Sequence, residues 1–406
     1  MTRPIVLTVN RVGFLGGVER IILNTADAAR AAGLSPVLAC PAGELADAAR
    51  DHGFEVHVLG IDRGRKVGSV GGLARLAGAV MRARSEVRAL VRGRPVALLH
   101  VHHPMSAVQA ASAARAAAAP MLVHLHETLP IGRAYRFAMR RTRGLGRLFL
   151  GVSEASCAMA RSVGVAPARI RLLHNAVDAR FLGPLEPAAD LAADLDADPA
   201  ATPTGDGRDD GPKFGLFGVL EPRKGHEDFL RAAALCAHDL PRASFWIVGA
   251  LSFGENEAYV ARLRSLAREL GVADRVHFTG FRRDIPNLMV GMDCVVLAST
   301  GFESLPTVLI EACALGRPVV ATEIGGVREI VTDGETGLVV PPNDPVALAT
   351  AMRLAVSPAG VLLGQRARQD AAARFGPDRF VNDMGSIYTE LCGAGQTASP
   401  PTGRVA

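Results

Sequence analysis

The chain has 406 residues, 49% of them hydrophobic and 21% charged, which excludes a disordered chain and suits two domains of roughly 150–200 residues each. Lys and Arg number 45 against 40 Asp and Glu, a formal charge of +5, too small to mark a nucleic-acid binder. Aromatic residues make up 5%, with one Trp and three Tyr, so recognition of sugars or bases by stacking platforms is disfavoured.

The six cysteines (Cys40, Cys157, Cys236, Cys294, Cys313 and Cys392) form no CxxC or Cys/His pair. Reduced, buried thiols are expected rather than a disulfide framework or a zinc site. The N-terminal apolar run is too short for a secretory leader, and no stretch approaches ~20 uninterrupted apolar residues. The expectation is a soluble, cytoplasmic protein, with a peripheral seat at the inner face of a membrane as an option. Charge is unevenly spread: residues 1–150 carry 21 basic and 9 acidic side chains, and the rest of the chain is net acidic.

Taken in order, the short apolar run Pro4–Val9 reads as a buried parallel strand. A glycine loop (Gly13, Gly16, Gly17) and a helix over Glu19–Ala32 follow. Strands are expected at Ser35–Cys40, Glu55–Leu59, Ala97–His102 and Met121–His126, with helices over about 44–52, over 70–92, and in the alanine-rich stretch before Met121. Residues 184–212, rich in Ala, Asp, Pro and Gly, cannot build a core and read as a mobile linker. Strand and helix then alternate again: strands at Phe214–Val219, Ser244–Val248, Val276–Thr279, Cys294–Ala298, Val319–Ala321 and Gly337–Val340, and helices at Gly225–Ala237 and Tyr259–Leu270. Two doubly wound parallel sheets around a linker imply a ligand cleft between them.

The segment Gly301-Phe302-Glu303-Ser304-Leu305-Pro306-Thr307-Val308-Leu309-Ile310-Glu311-Ala312 carries the strongest chemical signal. If one helix covers the span, Glu303 and Glu311 lie within ~80° of one face. Pro306 suits a first helical turn, and the N–H groups around Leu305–Val308 would form an anion site at the helix N-terminus. Phosphates at a helix end beside carboxylates that bind hydroxyls describe a nucleotide sugar.

This segment resembles the paired-glutamate motif of family-4 retaining glycosyltransferases, group 1 glycosyltransferase domains of the GT-B type. Residues 151–178, 216–233, 275–285 and 316–348 are similar to the same family, as is the glycine loop Gly16-Gly17-Val18-Glu19-Arg20. The resemblance covers nearly the whole chain outside 184–212. It implies a GT-B α/β fold with two Rossmann-like domains facing a cleft. An acceptor-side domain at 1–183 and a donor-binding domain at 213–374 would flank the linker. A helix at 375–392 would cross back to the first domain, and 393–406 would be a disordered tail.

By the same resemblance, Glu303, Lys224 and His126 are the catalytic group. Glu311 would bind the donor ribose, and the amides of Leu305, Pro306, Thr307 and Val308 its distal phosphate. Gly16 and Gly17 would let backbone approach the donor. Asn175 and Asp178 match a structural turn before the hinge. The family usually reads Gly-Arg-Leu before the lysine; here the run is Gly218-Val219-Leu220, so a cation is missing, and Arg223 is its candidate substitute.

His126 ends an expected strand, where side chains face the crevice. His124 is expected to be packed deeper, while His102 and His103 could line an acceptor pocket. The His-x-His-Glu spacing makes at most a partial metal site, and no Asp-x-Asp motif accompanies it, so no metal or other cofactor is expected. The arginine-rich stretch Arg133–Arg147 reads either as a solvated basic helix or as a surface for anionic phospholipid or a lipid-linked acceptor. The implied activity is transfer of a sugar from a nucleoside diphosphate sugar to a glycan or lipid-linked acceptor in polysaccharide biosynthesis. A catalytically weak nucleotide-sugar-binding scaffold and a nucleotide-sugar epimerase are the alternatives.

Overall fold

In the computed structural model, which describes residues 3–60, 70–127, 133–188, 211–250 and 257–396, strands and helices alternate through two units. The first unit holds 1–176 together with 377–406, and the second holds 177–376. The first boundary thus falls seven residues before the expected 183. Of the expected linker, 189–210 lie outside the described residues; just before them, the Ala188 amide donates to the Asn287 carbonyl of the second unit. Most of the expected tail, 397–406, also lies outside them.

The first unit runs β1 (Ile5–Val9), α1 (Gly17–Ala31), β2 (Ser35–Cys40), α2 (Glu44–Asp51), β3 (Glu55–Val58) and α3 (Val70–Leu90). It continues with β4 (Val96–Val101), α4 (Pro104–Ala117), β5 (Met121–Leu125), α5 (Arg133–Thr142), β6 (Leu148–Gly151), α6 (Glu154–Ser162) and β7 (Ile170–Leu172). The second unit holds β8 (Lys213–Phe217), α7 (His226–Asp239), β9 (Ser244–Val248), α8 (Glu257–Glu269), β10 (Val276–Gly280), α9 (Ile285–Val290) and β11 (Cys294–Leu297). It closes with α10 (Thr307–Ala314), β12 (Val319–Thr322), β13 (Leu338–Val340), α11 (Pro345–Ala355) and α12 (Pro358–Phe375), and α13 (Pro377–Gln396) belongs with the first unit.

All registered strand pairs are parallel, and the sheet orders are β3-β2-β1-β4-β5-β6-β7 and β10-β9-β8-β11-β12-β13. In each, the first strand of the unit is central and the order reverses beside it, between β1 and β4 and between β8 and β11. Such switch points leave a crevice at the carboxyl ends of the strands. The expected strands appear within two residues of their expected ends. The short β6 and β7 did not stand out in the sequence, because four- and three-residue runs flanked by arginine carry too little periodicity.

Strand alternation divides the first core into two layers. Leu99 and Val101 of β4 and Val123 and Leu125 of β5 pack with Val87 of α3 and Ala107 and Ala110 of α4. Leu98 and Leu122 face the other way, toward Ala28 and Ala29 of α1 and Phe380, Met384 and Tyr388 of α13. The second unit centres on Phe214, Phe229, Phe245 and Ile247, all fully buried. The expected last helix, 375–392, is α13: Phe375 ends α12, Gly376 is extended, and α13 runs from Pro377 to Gln396. Phe380→Ala is expected to destabilise the first unit by about 3–5 kcal/mol, read as a lower urea midpoint.

Candidate active site

The donor-side residues meet where β8 and β11 end. Gly225 has φ of +70°, and a Cβ there would lie 1.7 Å from the Ala298 carbonyl oxygen, so glycine alone lets the turn Pro222–Lys224 reach the end of β11. The Thr300 and Gly301 amides then donate to the Arg223 carbonyl at 2.8 and 3.1 Å. Gly325, at φ +54°, presses in the same way on the Glu303 carbonyl, and the Gly326 amide donates to the Ser304 carbonyl. The loop bearing Glu303 is therefore held from two sides.

Within this frame Lys224 Nζ donates to Glu303 Oε1 at 2.5 Å, and Ser299 Oγ donates to the same oxygen at 2.7 Å. Glu303 is 8% exposed and Ser299 fully buried. Arg223 Nη1 lies 3.6 Å from Glu303 Oε1, while its Nε donates to Glu221. The Arg223 guanidinium also rests over the Phe302 ring, 5.2 Å from its centroid. Two cations thus converge on one carboxylate. Val219, where the resembling family carries arginine, stands 37% exposed on the same loop.

The paired-glutamate geometry differs from the expectation in one respect. Pro306 is the N-cap of α10, with ψ of 103°, so helix begins only at Thr307 and Glu303 lies outside it. Proline disfavours the helical region for Leu305 before it, which is why one helix cannot carry both carboxylates. Pro306 has no N–H, and the expected set of phosphate-binding amides shrinks to Leu305, Thr307 and Val308. The last two are first-turn amides, which find no acceptor inside a helix. Leu305 and Pro306 are buried, and Glu311 is half-buried on the second turn.

In the first unit, Gly16 caps α1 and its amide donates to Glu19 Oε2 at 3.3 Å. Asn10 Nδ2 donates to Glu19 Oε1 and to the Val12 carbonyl, both at 3.3 Å. Gly17 is the first residue of α1. Glu19 is 5% exposed and Asn10 4%, so a buried carboxylate shapes the glycine loop. Neither residue stood out as a loop organiser in the sequence.

His102 and His126 follow β4 and β5 and share a hydrogen bond, His102 Nδ1 to His126 Nε2 at 3.0 Å. Burial pushes His126 down to about 3, so it is neutral at physiological pH. His103 serves as the N-cap of α4: its Nδ1 accepts the Met105 amide at 3.0 Å, and Arg11 lies 3.4 Å from that nitrogen. Burial, helped by Arg11, pushes His103 to about 3. With Nδ1 accepting, the neutral ring carries its proton on Nε2, which faces Glu127 at 3.7 Å. The expected acceptor role of His103 therefore competes with capping. Asp178 caps the turn Ala179–Phe181 through the Arg180 amide, and the carbonyls of His174 and Asn175 accept from Arg379.

The basic stretch is half buried and half exposed. Of its described side chains, Ala138, Met139 and Thr142 are buried and Arg136, Arg140, Arg141, Arg143 and Arg147 exposed. Phe137 is 61% exposed, with the Arg141 guanidinium 5.1 Å from its ring centre. The side chains of Arg133–Tyr135 lie outside the described residues. Among those residues no single helix is long and apolar enough to cross a membrane.

Residues 205–374 match the group 1 glycosyl transferases, and residues 15–181 match glycosyltransferase family 4. The chain is 35% identical over 189 residues to a D-inositol 3-phosphate glycosyltransferase of Acidothermus cellulolyticus, covering 45% of this chain and 42% of that protein. It is 34% identical over 150 residues to the lipopolysaccharide core biosynthesis mannosyltransferase LpsB of Rhizobium meliloti, covering 36% of this chain and 42% of that one. The chain thus spans less than half the length of these curated relatives. Among solved structures, Anabaena Alr3699/HepE in complex with UDP and glucose aligns with a TM-score of 0.76 and 25% identity, over 94% of this chain and 98% of that one.

His226, the first residue of α7, is fully buried beside Lys224 and Gly225, and burial pushes its imidazole down to about 4. A depressed histidine contributes stability that is fully present above the unfolded value near 6.5 and is lost as pH falls through 4. His226→Gln is expected to reduce the slope of unfolding free energy across that window by up to about 1.4 kcal/mol per pH unit, measured by urea titrations at a series of pH values.

Proposed function

Since the chain belongs to the family-4, group 1 glycosyltransferases, we propose that it transfers a sugar, with retention, from a nucleoside diphosphate sugar to a glycan or lipid-linked acceptor. The observation that carries this reading is the convergence of Lys224 and Arg223 on Glu303 next to the start of α10. Cleaving a sugar–phosphate bond develops negative charge on the distal phosphate, and cations and free amides placed there lower the barrier. Lys224 and the Leu305, Thr307 and Val308 amides take that charge. Glu303 holds hydroxyls of the transferred sugar, Glu311 those of the ribose, and His126 positions the reacting sugar.

Arg223 stands in for the arginine that Val219 replaces, because its guanidinium already lies beside Glu303. Without substrate, Glu303 occupies the lysine; an arriving diphosphate competes for the same ammonium. The transfer itself needs no metal on this reading, since fixed cations and amides do the electrostatic work. UDP-glucose is the first donor to test, as Alr3699/HepE was solved with UDP-glucose.

Thermal-shift screening with UDP, GDP and ADP identifies the base, since a ligand that binds the folded state alone raises its melting temperature. The anomeric configuration of the product, read by NMR, decides retention. Lys224→Ala is expected to lower turnover by about 2–4 kcal/mol of transition-state stabilisation, and Glu311→Ala to weaken nucleotide binding. Unchanged turnover in both variants removes this site. Glu303→Gln frees Lys224 for phosphate, so nucleotide affinity is expected to hold or rise while transfer falls. A scaffold without catalysis would instead bind the donor and release no free sugar on prolonged incubation.

The exposed arginines around α5, with Phe137 among them, suit an anionic membrane surface or a lipid diphosphate acceptor. Vesicles containing anionic lipid should sediment the protein at low salt and release it at high salt. Replacing Arg136, Arg140, Arg141, Arg143 and Arg147 by Gln should abolish sedimentation; equal binding by the variant rejects the surface.

A further inference from the structure

Four histidines crowd the carboxyl ends of β4 and β5. His100 lies in β4 with His102 just past its end, and His124 lies in β5 with His126 just past its end, so at two-residue spacing all four share the face that packs on α1 and α13. His100 and His124 are fully buried and His102 is 4% exposed. Ring centroids of His100, His102 and His124 lie 4.2–5.5 Å apart. Ligating nitrogens of these three all fall within 4.8 Å of one another. No ionised group belongs to the trio, and its burial keeps each ring neutral, with one lone pair available.

His100 Nδ1 and the Tyr388 hydroxyl lie 2.8 Å apart. A neutral His100 that ligates through Nε2 carries its proton on Nδ1 and donates it to that hydroxyl. His100 Nε2, His102 Nε2 and both nitrogens of His124 have no hydrogen-bond partner. Buried, unpartnered imidazole nitrogens on three converging rings are costly unless something binds them.

We propose that His100, His102 and His124 form a tripodal site for a divalent transition cation of the zinc class. Three neutral imidazoles without carboxylate select Zn²⁺, Co²⁺ or Ni²⁺ over Mg²⁺ and Ca²⁺, which take oxygen ligands. Tetrahedral zinc with bonds of about 2.0–2.1 Å needs nitrogens about 3.4 Å apart, so ring rotations of about an ångström close the tripod and leave a fourth position for water. Tyr388 is the positioning residue, holding His100 in the ligating tautomer as outer partners of metal-bound histidines do. Ligation through His102 Nε2 places the His102 proton on Nδ1, donated to His126 Nε2. The ion thus holds the His126 proton on Nδ1. This site stands independently of the transferase reading.

The test titrates full-length protein, made without a histidine tag and stripped with a chelator, with Co²⁺ and follows visible absorption. One equivalent is expected to bind with the intense bands of tetrahedral cobalt, and Zn²⁺ to displace it. His100→Gln and His124→Gln should lose the bands, while His52→Gln, at an exposed histidine, keeps them. Tyr388→Phe, which removes only a hydroxyl and keeps the core filled, should retain the bands and bind about 10–100-fold more weakly. Folded wild type without tetrahedral bands, or with only the weak spectrum of an adventitious ion, overturns the proposal. So does Tyr388→Phe binding Co²⁺ as tightly as wild type, even if the histidine variants fail to fold.

Discussion

A parallel strand paired on both edges and covered on both faces can place polar chemistry only at its ends. That constraint governs both units. β1 and β8 are completely enclosed in this way, and their residues are almost all apolar and buried. The loops after β1, β4, β5, β8 and β11 therefore carry the glycine loop, His102, His103, His126, Lys224 and Glu303, and His100 and His124 stand next to last in β4 and β5. In each unit, the reversal of strand order beside the central strand opens a crevice that the unit's own loops line.

The two units handle polar groups in opposite ways. In the second, charge is buried only in compensated form: Lys224 and Arg223 against Glu303, with Ser299 donating a further hydrogen bond. Such an arrangement is stable when nothing is bound and is ready to exchange one anion for another. In the first, buried histidines crowd the ends of β4 and β5, while the Glu19 carboxylate accepts from the Gly16 amide and from Asn10. A neutral imidazole array in an apolar layer can accept a cation but has no affinity for phosphate.

Much of this was legible along the chain. Apolar runs of three to six residues between helical stretches located eleven strands, and Glu303 and Lys224, singled out in the sequence, do meet in the structure. What escaped had physical reasons. Ser299 and Glu19 act through contacts set by loop shape, and no spacing rule predicts them. Pro306 was readable as a helix start, but its place as N-cap, which leaves Glu303 outside the helix, depends on the loop packing against Gly325. His100 looked like one strand residue among others, because its partner Tyr388 lies 288 residues away.

Sequence alone determined the alternation of strand and helix and the two-sheet class, and it singled out Lys224 and Glu303, because these rest on local periodicity and short motifs. Only the tertiary structure decided that α13 returns to pack on the first sheet, and that four histidines from two strands share one buried layer. It also decided that Lys224 is held by Glu303. Each of these depends on contacts between residues far apart in the chain, where burial and hydrogen-bond geometry, rather than residue type, set the outcome.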